Sequence, residues 1–160
     1  MSNRVFLVDD EISKYRAWLA EMELAGLVVE TMWGADAAFE RLWDIDREEV
    51  ALVLIDVMLA VEDLGNTRFT EERTRSYLET GLRLLDDLVK QNPAVFPLRA
   101  VMISSSTVHA TVANVRATCR RYAIPFWDKA RIVSPLDLLD RIDDRLRELG
   151  DEGDDAREDA

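Results

Sequence analysis

VFLVDDE, residues 5–11, places four apolar residues directly before three carboxylates. A run this densely apolar predicts a strand buried on both faces, as strands are in parallel sheets covered by helices. Neighbouring carboxylates repel one another, so their charged forms are unfavourable unless a cation lies close by. The stretch therefore predicts a buried strand whose carboxyl end meets a site of positive charge.

Four more short apolar runs follow along the chain, and segments with helical periodicity separate them. Strands that alternate with helices indicate βαβ units and a parallel sheet. The expected strands cover 5–8, 27–29, 51–55, 100–103 and 123–127. The expected helices lie around 12–25, 35–45, 82–91, 108–121 and 134–149, the last with Ser134 as its N-cap and Gly150 as its end. The sequence therefore predicts an α/β fold of the (βα)5 type.

Two stretches add detail to this pattern. Pro125 lies inside the fifth apolar run, and a proline cannot donate to a central ladder, so we expect this strand at a sheet edge. Between the third strand and the third helix lie many more residues than the roughly 2–6 of an ordinary βα loop. We call residues 60–79 the inserted segment, and we expect it to include a short helix near 70–78.

Composition limits the kinds of function. The chain has 160 residues, a length typical of one domain, and its formal net charge of −12 disfavours nucleic acid. No apolar run is long enough to cross a bilayer, and the short run near the N-terminus is no secretory signal. The single cysteine, Cys119, excludes an intramolecular disulfide. We therefore expect a cytoplasmic protein with neither nucleic-acid nor membrane partners.

The last eleven residues, GDEGDDAREDA at 150–160, carry six acids, one arginine and no large apolar side chain. A segment of this composition cannot bury enough apolar surface to offset the entropy lost on ordering. We therefore expect one domain over 1–149 and a disordered acidic tail over 150–160.

Polar side chains follow four of the five expected strands. Asp9 and Asp10 follow the first, Asp56 the third, the hydroxyl run Ser104-Ser105-Ser106 the fourth and Lys129 the fifth. Ligands of open parallel sheets bind at the carboxyl ends of the strands, so these side chains are expected at one site. Clustered carboxylates suit Mg²⁺, which takes oxygen ligands. The set predicts phosphoryl transfer, with Asp56 attacking phosphorus, Lys129 neutralising charge and a serine of the run donating to a phosphoryl oxygen.

Four motifs resemble the receiver domain of bacterial two-component response regulators: LVDDE at 7–11, LVLIDVML at 52–59, VMISSS at 101–106 and FWDKA at 126–130. The resemblance covers residues 4 to about 148. It implies a flavodoxin-like, doubly wound sheet with strand order 2-1-3-4-5. Because only the acidic stretch follows this region in the sequence, we expect a stand-alone, single-domain type.

The resemblance also implies roles for particular residues, together with Mg²⁺ as cofactor. It implies a self-catalysed transfer from a sensor histidine kinase or a phosphotransfer protein, rather than conventional enzyme turnover, and an output through contact with an unknown protein. The implied roles are Asp56 as phosphoacceptor, Asp10 as direct metal ligand, Asp9 as a metal ligand largely through water, Met58 as a ligand through its backbone carbonyl, Lys129 as the family's lysine, and Ser104 and Phe126 as the switch pair.

The chain departs from the receiver pattern at three places. Ala130 stands where the family usually has a proline after the lysine, so we expect a trans bond after Lys129. Ala60 replaces a second usual proline, and the usual glycine, represented by Gly81, comes late because of the inserted segment. These departures leave open a module of receiver fold that binds its partner without phosphorylation.

A third reading is a Mg²⁺-dependent phosphatase of the haloacid dehalogenase type. Such enzymes carry two acids, two residues apart, after the first strand, and Asp9 and Glu11 have this spacing. The reading leaves Asp56 unexplained.

Overall fold

The computed structural model describes residues 2–60, 68–105 and 108–158, with side chains as far as Gly150. Five strands form one parallel sheet in the order β2-β1-β3-β4-β5, which confirms the predicted fold class and strand order. The strands are β1 (Arg4–Val8), β2 (Val28–Met32), β3 (Leu52–Asp56), β4 (Ala100–Ser104) and β5 (Phe126–Asp128).

Five α-helices follow the strands in turn. They are α1 (Arg16–Leu24), α2 (Ala35–Leu42), α3 (Thr80–Gln91), α4 (His109–Tyr122) and α5 (Pro135–Glu158). The first helix begins later than expected, because Ile12–Tyr15 form a 3-10 turn before it. A 3-10 turn is tighter than an α-helix, so the side chains of this stretch point in other directions than an α-helix would give.

The helices cover both faces of the sheet, because side chains of each strand alternate between the faces. Phe6, Val53 and Met102 pack with residues of α2, α3 and α4 on one face. Leu7 and Leu54 pack with residues of α1 and α5 on the other. Both faces of the central strands are therefore dry, and their polar termini are the places where a ligand can approach.

The fifth strand begins later than the sequence predicts. Pro125 precedes β5, and its carbonyl accepts a hydrogen bond from the Met102 N–H at 3.1 Å. The expected edge position is confirmed, since β5 stands last in the strand order. Trp127, on this strand, is buried among the residues facing α1 and α5.

The last helix continues beyond its expected end. The prediction that it ends at Gly150 is wrong, because α5 runs to Glu158 through the stretch expected to be disordered. A glycine inside a helix costs only about 1 kcal/mol relative to alanine. Leu149 is buried in the core and stabilises the turn before the glycine. The division of the chain into a folded domain and an acidic tail stays a prediction.

The described part of the inserted segment, residues 68–79, is a series of turns packed on the domain. Phe69 is fully buried in the core on the face covered by α2, α3 and α4. Arg73 donates to the two carboxylate oxygens of Asp87 on α3, at 2.9 and 2.5 Å. These contacts make residues 68–79 part of the fold.

The prediction of a short helix near 70–78 is wrong. Three successive residues, Arg75, Ser76 and Tyr77, have positive φ angles of 52°, 57° and 65°. A left-handed backbone cannot continue a right-handed helix, and it turns the chain back toward α3.

The structure also bears on the predictions for the bond after Lys129 and for membrane-spanning helices. The Lys129–Ala130 bond is trans, as expected from the alanine. Among the residues described, no helix combines the length and the apolar character needed to cross a membrane.

Candidate functional site

The site lies at the carboxyl ends of β1, β3 and β5. Asp9 follows β1, Asp56 is the last residue of β3, and Lys129 follows β5. The ammonium nitrogen of Lys129 lies 2.6 Å from Oδ2 of Asp9 and 2.6 Å from Oδ2 of Asp56. One cation therefore bridges two carboxylates that belong to neighbouring strands, as strand order predicts.

Three carboxylates form what we call the carboxylate cluster: Asp9, Asp10 and Asp56. Each offers one oxygen, and these oxygens all lie within 4.8 Å of one another. Asp9 is fully buried, Asp56 is nearly so, and Asp10 is partly exposed. A compact set of carboxylate oxygens that is open on one side fits a small divalent cation that keeps part of its water shell, which is the preference of Mg²⁺.

Backbone groups hold two members of the cluster in place. Oδ1 of Asp9 accepts a hydrogen bond from the Glu11 N–H at 2.8 Å. The backbone of Ala60 acts to lower the pKa of the Asp10 carboxyl, and an isolated bridge pairs Ala60 with Gly34 after β2. The loops after three strands therefore support one another around the cluster.

Burial sets the protonation of the acceptor candidate. It raises the pKa of Asp56 to about 6, although the charge and hydrogen bond of Lys129 act to lower it. Burial and the charge of Asp9 also raise the pKa of Asp10. For Lys129, burial acts to lower the pKa, but the carboxylates of Asp56 and Asp9 outweigh it and raise the pKa, which keeps the ammonium charged. The cluster therefore holds more negative charge than one lysine can balance, and a divalent cation would relieve it.

Gly81 fits against the backbone of Asp56. Its N–H donates to the Val57 carbonyl at 2.9 Å. A Cβ added at Gly81 would lie 1.9 Å from the carbonyl oxygen of Asp56. Neither backbone can give way without moving the carboxylate, so this contact needs glycine at this position.

Three other predicted site residues lie on β4, on β5 and in the loop after β3. Ser104 is buried at the end of β4, one residue beyond the partner of Asp56 in the strand register. Phe126 begins β5 and packs, half-buried, against the core on the α4 side. Met58 lies just after the cluster with its side chain exposed, and its N–H lies 3.4 Å from Oδ1 of Asp56. The switch roles of Ser104 and Phe126 and the ligand role of Met58 stay predictions.

Tyr15 is a neighbour of the site that the sequence did not indicate. Its ring centroid lies 5.4 Å from the Lys129 nitrogen, and its ring meets Trp18 edge-on at 5.5 Å between centroids. Ile12, Tyr15 and Leu19 have helical spacing, which predicts Tyr15 on the core face of the first helix. Because residues 12–15 form a 3-10 turn, the Tyr15 ring lies beside Lys129 instead. No pattern in the sequence predicts that turn.

Two residues of α4, His109 and Cys119, have reactive side chains but are not members of the carboxylate cluster. His109 is exposed at the first position of the helix. Cys119 is buried on α4, and burial raises the pKa of its thiol to about 11, so it stays a neutral, small apolar group.

Comparison with solved structures identifies the fold. A response regulator receiver domain protein (CheY-like) from Methanospirillum hungatei JF-1 is 20% identical, with 95% of this chain and 99% of that one covered at a TM-score of 0.67. The receiver domain of NtrX from Brucella abortus is 25% identical, with coverage of 89% and 98% at a TM-score of 0.60. A longer NtrX chain from the same organism is 23% identical at a TM-score of 0.66. There, 98% of this chain is covered and 30% of the NtrX chain.

No protein-family model matches the chain, and no curated protein matches it. The resemblance carried by the four motifs is nevertheless confirmed, because the structural neighbours are receiver domains over nearly the whole chain. The chain therefore has the receiver-domain fold of response regulators.

Proposed function

We propose that this chain is a receiver that accepts a phosphoryl group on Asp56 in a Mg²⁺-dependent reaction. The observation that carries the proposal is the bridge from Lys129 to Asp9 and Asp56, next to three carboxylate oxygens within 4.8 Å of one another. This arrangement provides a nucleophile, a fixed cation and a set of oxygen ligands in one place.

Asp56 is the nucleophile in this proposal. Its Oδ2 is engaged by Lys129 at 2.6 Å, whereas its Oδ1 has a longer contact, 3.4 Å from the Met58 nitrogen. Oδ1 is therefore the better placed oxygen to attack. As it bonds to phosphorus, the phosphorus–nitrogen bond of a phosphohistidine breaks, and the imidazole takes up a proton as it leaves.

The other residues support this step. Lys129 is close enough to Asp56 to neutralise charge on the transferred group. Mg²⁺ would be held by Asp9, Asp10, Asp56 and the Met58 carbonyl, and when bound it would neutralise charge on the phosphoryl oxygens. Ser104 and Phe126 would then respond to the new group, the first by hydrogen bonding and the second by a change of rotamer.

The proposed partners follow from this chemistry. A sensor histidine kinase or a phosphotransfer protein supplies the phosphoryl group in the cytoplasm, and an output protein binds the phosphorylated form. The overall reaction is self-catalysed phosphorylation and dephosphorylation of one aspartate.

The test is to incubate the full chain with Mg²⁺ and acetyl phosphate and to measure its intact mass. We expect one phosphate adduct on the unmodified chain, and no adduct with Asp56→Asn or after Mg²⁺ is removed with EDTA. The matched control is Asp144→Asn, an acid-to-amide change at an exposed pair with Arg147 on α5, which should form the adduct normally.

Absence of an adduct on the unmodified chain would contradict the proposal. An adduct that persists in Asp56→Asn would contradict the choice of acceptor. A chain that keeps its cellular role with Asp56→Asn would favour a receiver fold that signals without phosphate.

A further inference from the structure

Glu79 is a buried carboxylate that the proposed phosphoryl transfer does not use. It ends the inserted segment, directly before α3, and its side chain is fully buried. Burying a charged carboxylate is costly unless partners compensate for the lost hydration. The residues that contact the Glu79 carboxylate therefore identify the elements that this side chain connects.

The partners of Glu79 come from three parts of the chain. Asn114 on α4 donates to its Oε1 at 2.7 Å, and Arg75 of the inserted segment donates to the same oxygen at 2.8 Å. Arg83 on α3 lies 3.7 Å from Oε2. One side chain thus joins the inserted segment, the start of α3 and the middle of α4.

The backbone next to Glu79 reaches the acceptor. Gly81, two residues further on, donates to the Val57 carbonyl at 2.9 Å and leaves no space for a Cβ beside Asp56. The backbone of Glu79 is also fixed to the preceding turn, since its N–H donates to the Thr74 carbonyl at 3.0 Å. A displacement of the Asp56–Val57 backbone would therefore move Gly81 and, with it, a side chain that is bonded to α4.

We propose that the Glu79–Asn114 hydrogen bond transmits the phosphorylation state of Asp56 to α4, with Glu79 and Asn114 as positioning residues. The inference rests on the proposed function and adds a route through the inserted segment, which supplies Arg75 and the turn that carries Glu79. Coupling of this kind is reciprocal, so a partner bound to α4 would also affect the acceptor.

A second bond between α3 and α4 provides a matched control. The Tyr122 hydroxyl donates to Oδ1 of Asp86 at 2.6 Å, so it also links α4 to α3. Asp86 lies in the body of α3, more than a helical turn beyond the glycine that contacts Asp56, whereas Glu79 lies two residues before that glycine. Tyr122→Phe removes this bond and leaves Glu79 and Asn114 in place.

The experiment compares the full chain with its Asn114→Ala, Asn114→Leu and Tyr122→Phe variants. Each is treated with Mg²⁺ and acetyl phosphate, and each sample is divided between intact mass, which gives the adduct, and hydrogen–deuterium exchange of the α4 peptide. We expect all four proteins to form the adduct to within about twofold. On phosphorylation, exchange in α4 should change in the unmodified chain and in Tyr122→Phe. In both Asn114 variants, that change should fall by half or more, a loss in keeping with the modest size of typical coupling between sites.

The outcomes separate the coupling from the proposed function. Adducts in all four proteins with an equal α4 response, or with no α4 response in the unmodified chain, would overturn the coupling and leave the phosphorylation intact. No adduct on the unmodified chain would overturn both, and the mass would show it. If both Asn114 variants failed to fold while Tyr122→Phe folded, the bond would be an element of stability, and the coupling would be overturned.

Discussion

The carboxylate cluster and the described part of the inserted segment, residues 68–79, are built in different ways. Asp9, Asp10 and Asp56 come together because they end two neighbouring strands of a parallel sheet. The inserted segment is held by separate contacts, such as the burial of Phe69 and the pair formed by Arg73 with Asp87. Strand order thus determines where the three carboxylates lie, whereas individual side-chain contacts determine the position of residues 68–79.

The largest effect is expected at Phe69, and it tests whether the inserted segment is part of the core. Phe69→Ala removes a fully buried ring and should lower the free energy of unfolding by about 4 kcal/mol, measured by urea denaturation. The control is Trp33→Ala, at a side chain 56% exposed, with an expected loss below about 1 kcal/mol. Equal small losses would show that the segment is only a surface loop.

A similar test applies where the two regions meet, at Gly81. Gly81→Ala places a Cβ against the Asp56 carbonyl and should destabilise the fold by about 3 kcal/mol, as overpacking against backbone does. It should also reduce the yield of phosphate adduct, because the acceptor must move. Gly26 has φ +84° but nothing within 4 Å of an added Cβ, so Gly26→Ala should cost about 1 kcal/mol and leave the adduct unchanged. Equal costs at the two glycines would contradict the close contact.

The ion pair of the inserted segment should have a smaller effect. Arg73→Ala leaves Asp87 nearly buried, with Arg68 as a more distant partner at 3.8 Å, and should cost about 1.5 kcal/mol. The control is Arg131→Ala, in an exposed pair with Asp128, where a change within about 0.5 kcal/mol is expected. Urea denaturation measures both, and a loss at Arg73 no greater than at Arg131 would show that the anchor is unimportant.

The smallest effect concerns the charge of the cluster. Because Asp56 has a raised pKa of about 6, the folded chain binds a proton more tightly than the unfolded chain, and this contribution to stability is lost as the pH rises from about 4 to above 6. A metal must displace that proton, so the affinity for Mg²⁺ should rise roughly tenfold between pH 5 and pH 7. Calorimetric titration measures it. In Asp56→Asn the rise in Mg²⁺ affinity should be smaller. Equal affinities at pH 5 and pH 7 in the unmodified chain would contradict the raised pKa of Asp56.

Most of the fold could be predicted from sequence because its signals repeat. Apolar runs alternate with helical stripes, and polar site residues follow four of the five runs, so the positions of Asp56 and Lys129 follow from strand order. The errors fall where one local rule competes with packing. Gly150 is a plausible helix end, but α5 continues through it. Phe69 is a single aromatic in a polar stretch, and no periodicity indicates that it enters the core.

The sequence by itself determined the sheet, its two covered faces and the set of polar residues at one rim, because strand periodicity and chain order decide which termini meet. Tertiary structure alone decided that Tyr15 lies over Lys129, that Gly81 touches the Asp56 backbone and that Glu79 reaches Asn114. These contacts join residues far apart in the chain through single atoms, and the energies of such contacts depend on distances that no local pattern encodes.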